Sequence, residues 1–176
     1  MRILAALFVS LALFPTVSLS ADELTDAQIA AIVVTANQVD VDAGVFIATR
    51  TSNAEVKSFA KLMVTDHNAV NHAAAELVTK LGVIPEDNPT SQRLKAGGEK
   101  NLATLNALDG PTRDKAYVDH EVAYHQEVIE ALDKILIPGA TNEELKNLLV
   151  KVRPAFITHL EHAKALQGTL AGSHSR

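Results

Sequence analysis

NAEVKSFAKLMVTDHNAVNHAAAELVTKL, residues 53–81, decides the fold. Val56, Ala60, Met63, Val70, Ala74 and Leu77 recur every three or four positions, the spacing that gathers side chains on one stripe of an α-helix. Ser52-x-x-Glu55 has the form of a capping box at its start. Gly82 can supply a left-handed C-cap, and Pro85 prevents the helix from resuming. One position breaks the stripe, because His67 lies on the face that otherwise reads as core.

The same punctuation extends in both directions, and no strand alternation persists anywhere. Thr25-x-x-Gln28 opens a helix predicted over 26–50, ahead of the one over 53–81. A loop rich in Pro, Asn and Asp leads to a shorter helix over 90–108, weakened in its middle by Gly97-Gly98. Pro111 suits a first helical position, predicting a helix over 111–137, and Thr141-x-x-Glu144 caps a last one over 142–170 in which Pro154 removes a backbone donor. The fold class is all-α, a four-helix bundle of two hairpins with an additional shorter helix between them. Residues 21–171 form one domain and residues 172–176 a frayed tail.

Each long helix carries one metal-capable intruder on its apolar stripe. Asp40 lies among Ile29, Val33, Ala36, Ala43 and Ile47; His125 among Val118, Val122, Ile129, Leu132 and Leu136; His159 among Leu145, Leu148, Val152, Ala155, Ala163, Leu166 and Leu170. Bundle proteins build sites from such inward-facing residues. His159-x-x-His162 and Glu121-x-x-x-His125 each place two ligand types on one helical face. Asp66, His120, Asp42, Tyr117, Asp119 and Tyr124 are near enough in sequence to support them, whereas His72 and His174 are peripheral.

Axial register narrows this set. Counted from the turn near Gly139 at about 1.5 Å per residue, Glu121 and His159 differ by about 3 Å in height, and His125 and His159 by about 9 Å. Counted from Thr51, Asp40 and His67 differ by about 7 Å. A compact site is therefore expected around His159, His162, Glu121 or His120 rather than around all four stripe residues.

The first twenty residues stand apart. Arg2, the apolar run from Ile3 to Phe14, and small Ser18 and Ser20 ahead of Ala21 compose a secretory signal peptide cleaved between Ser20 and Ala21. The run is about 12 residues, short of the roughly 20 a spanning helix needs, and no later stretch reads as long or apolar enough for a transmembrane anchor. A periplasmic or secreted protein is expected. With no cysteine, disulfides and thiolate ligands are excluded. The net charge of −5, without a basic stripe, argues against nucleic acid, and the absence of tryptophan leaves no stacking platform.

Three segments together resemble a known family: NAEVKSFAKLMVTDHNAVNH (residues 53–72), DKAYVDHEVAYHQEVI (114–129) and His159-Leu160-x-x-Ala163. The chain resembles the exported bacterial proteins of domain of unknown function 4142, described as ferritin-like. The resemblance implies a ferritin-like bundle, and matches Asp66-His67, Tyr117, His120, His125 and His159, with Asp40 where the family usually has glutamate. A di-iron site would need paired Glu-x-x-His motifs. This chain is instead rich in imidazole and poor in carboxylate, so the label implies fold and not iron chemistry.

The expected function is a histidine-rich transition-metal site drawn from His67, His125, His159, His162, Glu121, His120, Asp40 and Asp66. Nitrogen-rich ligation without thiolate suits zinc, copper or nickel, and a mixed set with carboxylate admits iron. The alternative is an envelope structural or interaction module, homo-oligomeric or bound to another envelope protein, whose core histidines are only hydrogen-bonded. A metal-dependent oxidase ranks below both. There is no phosphate loop, no Gly-x-Ser-x-Gly, no His-Glu-x-x-His and no cysteine nucleophile to support a hydrolase or nucleotide enzyme.

Overall fold

The computed structural model describes residues 24–173; the predicted signal peptide with its cleavage site and His174 lie outside them. The described chain is helical, with α1 Asp26–Ala48, α2 Ala54–Leu81, α3 Pro89–Ala107, α4 Gly110–Ala131, a π-helical turn Leu132–Leu136, the short α5 Ile137–Gly139, and α6 Glu143–Ser173. Gly172 and Ser173, assigned to a tail by sequence, are still helical.

Local chemistry explains the helix ends. Thr25 and Gln28 form the expected capping box, and Gly82 takes the left-handed conformation at φ 64°. Two caps differ from the sequence reading. Asn53, not Ser52, caps α2, its Oδ1 accepting from the amides of Glu55 and Val56. Asn142, not Thr141, receives the amides of Glu144 and Leu145. Thr141 is drawn away because its amide and hydroxyl both donate to Asp26 at the start of α1.

Helix α1 is the axis of the bundle. It packs most extensively on α2 and then on α3, while α4 packs on α6, and α2 on α6. The short α3 therefore runs along the flank of α1 rather than capping an end. Buried residues occur on nearly every side of α1. Contrary to the sequence reading, α1 is long and apolar enough by composition to cross a membrane, but 56% of its most apolar window is buried in the bundle. Core burial accounts for that composition.

Two close approaches set the spacing around α1. A Cβ on Gly44 would lie 2.8 Å from the Ala60 carbonyl oxygen of α2, and a Cβ on Gly98 would lie 2.8 Å from both methyls of Val39. Glycine at these two positions lets α2 and α3 approach α1. The apolar interior falls into two clusters, one around Ile47, Phe59, Met63 and Leu166, the other around Ile29, Leu132, Leu149 and Phe156. Between them lies a polar layer.

Candidate metal centre

That layer contains Asp40 from α1, His67 from α2, Glu121 and His125 from α4, and His159 from α6, each at most 3% exposed. The four stripe intruders thus meet, against the register expectation, for two physical reasons. His125 is fourteen residues from the end of α5 and His159 sixteen from the start of α6, so their heights differ by only about 3 Å once the non-helical turn is not counted as helix. Helical side chains also lean toward their own N-terminus. In each antiparallel pair the residue farther from the turn leans toward it and its partner leans away, which closes the remaining gap.

Each imidazole has one nitrogen committed. His67 Nδ1 is 2.7 Å from Asn37 Oδ1, whose own amide group donates to the Val33 carbonyl. His125 Nδ1 is 3.0 Å from the Glu121 backbone carbonyl, and His159 Nε2 is 2.9 Å from Asp66 Oδ2. All three partners are acceptors, so the committed nitrogens carry the protons, and the tautomers are assigned on that basis. The opposite nitrogens, His67 Nε2, His125 Nε2 and His159 Nδ1, are buried without a hydrogen-bond partner among the described residues. The three histidines can offer one ring nitrogen each with all three inside a 4.8 Å span, and Asp40, Glu121 and His125 form a second such group.

Asp40 joins the two groups. Its Oδ2 is 2.8 Å from His67 Nε2 and 3.6 Å from His125 Nε2 without hydrogen-bond alignment to either ring, and its carboxylate interacts with the carboxyl of Glu121. With the His67 proton on Nδ1, the short contact sets a lone pair against a carboxylate oxygen. Such a contact is relieved by a cation between them, a proton or a metal ion.

Electrostatics assign the charges. Burial works against ionisation of Asp40, but His67 and His125 more than offset it and hold its carboxyl at about 2. Burial, then the charge of Asp40, push Glu121 well above its ordinary range, so it is a neutral acid. Burial lowers His125 to about 4 and also lowers His159. Tyr117 is completely buried, its hydroxyl has no hydrogen-bond partner among the described residues, and burial with the nearby Glu121 and Asp40 keeps it a neutral phenol. Asp40 is thus the anion of the layer, and burial favours the neutral forms of Glu121, His125 and His159.

The other sequence candidates lie elsewhere. His162 is exposed and meets the Phe59 ring edge-on at 5.0 Å. His120 is half-buried and stacks on Tyr124 at 5.6 Å. Asp42 is occupied by Gln38, Asp119 by Lys115 and Gln167, and exposed His72 pairs with Glu76. Among the described residues Asp66 reaches the cluster through His159. The Tyr124 hydroxyl donates to the Ala36 carbonyl, bracing α4 against α1.

Two residues escaped the sequence reading. Asn37 is one turn before Asp40 on the same face, a spacing that marks it as a neighbour. Phe156 is one turn before His159, and its ring lies 5.1 Å from that of His67 and 6.1 Å from that of His125, walling the layer on one side. The α6 stripe was read through Leu148 and Ala155. The buried face instead runs through Leu145, Leu149, Phe156, His159 and Ala163, and helical spacing admits both sets.

The profile of the family described as Domain of unknown function (DUF4142) matches residues 15–166. Among solved structures, a DUF305 fragment from Deinococcus radiodurans is similar with a TM-score of 0.71 at 13% identity, covering 82% of this chain and 95% of that one. A presumed secreted DUF305 protein from Streptomyces coelicolor has a TM-score of 0.68 at 14% identity, covering 83% and 93%. At these identities the likeness is one of fold. No curated protein matches the chain.

Proposed function

We propose that this chain, which belongs to the DUF4142 family, is an exported helical-bundle protein that binds one transition-metal ion through His67, His125 and His159, with Asp40 as the anionic ligand. The observation that carries the reading is a trio of buried imidazoles that can bring one ring nitrogen each inside a 4.8 Å span, each ring also having one nitrogen committed to an oxygen and the other without a hydrogen-bond partner among the described residues. A buried polar layer evolved only for hydrogen bonding is expected to be satisfied within itself. Here each imidazole is satisfied at one ring nitrogen and unsatisfied, among the described residues, at the other.

Acceptors behind ligating histidines fix the tautomer and aim the other nitrogen at the metal. Asn37, the Glu121 carbonyl and Asp66 have that role here. Three imidazoles and a carboxylate suit divalent zinc, copper, nickel or iron, and the lack of thiolates and of a carboxylate cage disfavours cuprous copper, calcium and magnesium. One anion beside neutral Glu121 leaves a divalent ion only partly neutralised. Glu121 is the additional donor within reach should it surrender its proton.

Export is supported by the cleavable leader read at residues 1–20. Titration of tag-free, chelator-stripped protein with zinc, cupric, nickel and ferrous ions tests the site. One ion per chain is expected, with retention abolished when His67, His125 and His159 are replaced together. A native protein with no stoichiometric affinity for any of the four ions refutes the reading, leaving a structural polar layer.

A further inference from the structure

Alongside the histidine layer, between α1, α3, α4 and α6, lies a cavity of about 380 Å³. We propose that it is a binding site for an uncharged, apolar organic molecule, separate from the metal site and sharing a wall with it. The size falls at the lower end of the range for pockets that hold organic ligands, roughly 300–1,000 Å³.

Two irregular features line the space at a cost in helix stability. Gly97 lies on the cavity wall inside α3, where a Cβ would meet nothing within 4 Å, so packing does not demand the glycine. The π-helical turn contributes Leu132 and Leu136 to the same wall. Such turns are rare and concentrate at functional sites. Both features lie away from the polar layer, so the cavity stands as an independent observation.

The chemistry of the lining identifies the class of occupant. None of the buried polar atoms left without a partner belongs to a lining residue. The Tyr124 hydroxyl and both polar atoms of Asn37 are already engaged. Of the uncharged polar side chains on the lining, half-buried His120, stacked on Tyr124, is the one without a hydrogen bond among the described residues, so a ligand meets one imidazole on an otherwise apolar wall, and a strongly polar one would lose most of its hydration uncompensated. Exposed Arg93 and Glu127, both on the lining, form no ion pair among the described residues, and their opposite charges favour neither an anion nor a cation. The shared wall is Asn37, which holds His67, and Phe156, which packs on His67 and His125.

The test uses the metal-free full-length mature chain and N-phenyl-1-naphthylamine, an uncharged apolar fluorophore, so it does not depend on the metal reading. Saturable binding at one site is expected, displaced by 1-decanol but not by equal concentrations of decanoate or decylamine. Gly97→Leu and Ala131→Leu, each adding bulk at a lining position, should weaken binding by roughly tenfold or more while far-UV circular dichroism and melting stay native. Absence of saturation, displacement by decanoate or decylamine as effective as by decanol, or wild-type affinity in both folded variants overturns the proposal.

Discussion

Replacing Asn37 by leucine, a side chain of similar volume, removes the acceptor that holds His67 Nδ1 at 2.7 Å without opening a void in α1. His67 is 1% exposed, so water cannot replace the lost partner. Leaving a buried N–H unsatisfied costs about 1–3 kcal/mol, which for a domain of this size lowers the melting temperature by roughly 2–12 °C. The second consequence concerns metal. With Asn37 gone, His67 no longer has its proton fixed on Nδ1, and loss of such an outer partner typically weakens metal affinity by about 10- to 100-fold. The assay pairs urea denaturation in chelator with a competition titration against a chromophoric zinc chelator. A stability change under about 0.5 kcal/mol together with unchanged zinc affinity would refute the reasoning that Asn37 sets the tautomer of His67.

The remaining predictions concern protons, spacing and the rejected ligands. In metal-free protein, unfolded histidine takes up a proton near 6.5 whereas His125 does so only near 4, so acidification between those values removes stability on the order of 3 kcal/mol. Glu121 works in the opposite sense: unfolded it ionises near 4.5, folded it keeps its proton, and its penalty shrinks on acidification over the same window. Glu121→Gln should therefore steepen the acid loss seen in urea midpoints between pH 7 and 4, and an identical profile in the variant would contradict the assignment of that proton. Gly44→Ala should cost about 1–3 kcal/mol, because its Cβ meets the Ala60 carbonyl oxygen at 2.8 Å, whereas Gly97→Ala, with open space, should gain up to about 1 kcal/mol; thermal melts compare the two. His120→Ala and His162→Ala should leave zinc affinity within about twofold of wild type while His159→Ala lowers it by at least about tenfold, as an equilibrium titration will show.

Much of the fold was legible because helix signals are local. The stripe of α2, the capping box at Thr25 and the left-handed Gly82 each depend on residues within a turn or two of one another. The caps at Asn53 and Asn142 were misplaced where hydroxyl and amide candidates stood side by side and a distant group, Asp26, took one of them. The intruders Asp40, His67, His125 and His159 could be recognised as interruptions of apolar stripes. Their meeting was not legible, because it depends on the rise lost in a turn and on the lean of side chains in antiparallel helices. His162 was favoured by its spacing from His159 and by height, and His120 by height and by the family resemblance. Height does not specify which way a residue faces, and at these positions the helices turn them outward or onto Tyr124. Asn37 and Phe156 carry no signal of their own; only their position one turn from a site residue marks them.

The most direct test of the central claim is an anomalous difference map from crystals of zinc-loaded protein. A single peak is expected at about 2.0–2.2 Å from His67 Nε2, His125 Nε2 and His159 Nδ1, with Asp40 as the oxygen ligand. A map with no peak in the layer, the ion lying instead on exposed His72 or His162, would contradict the account.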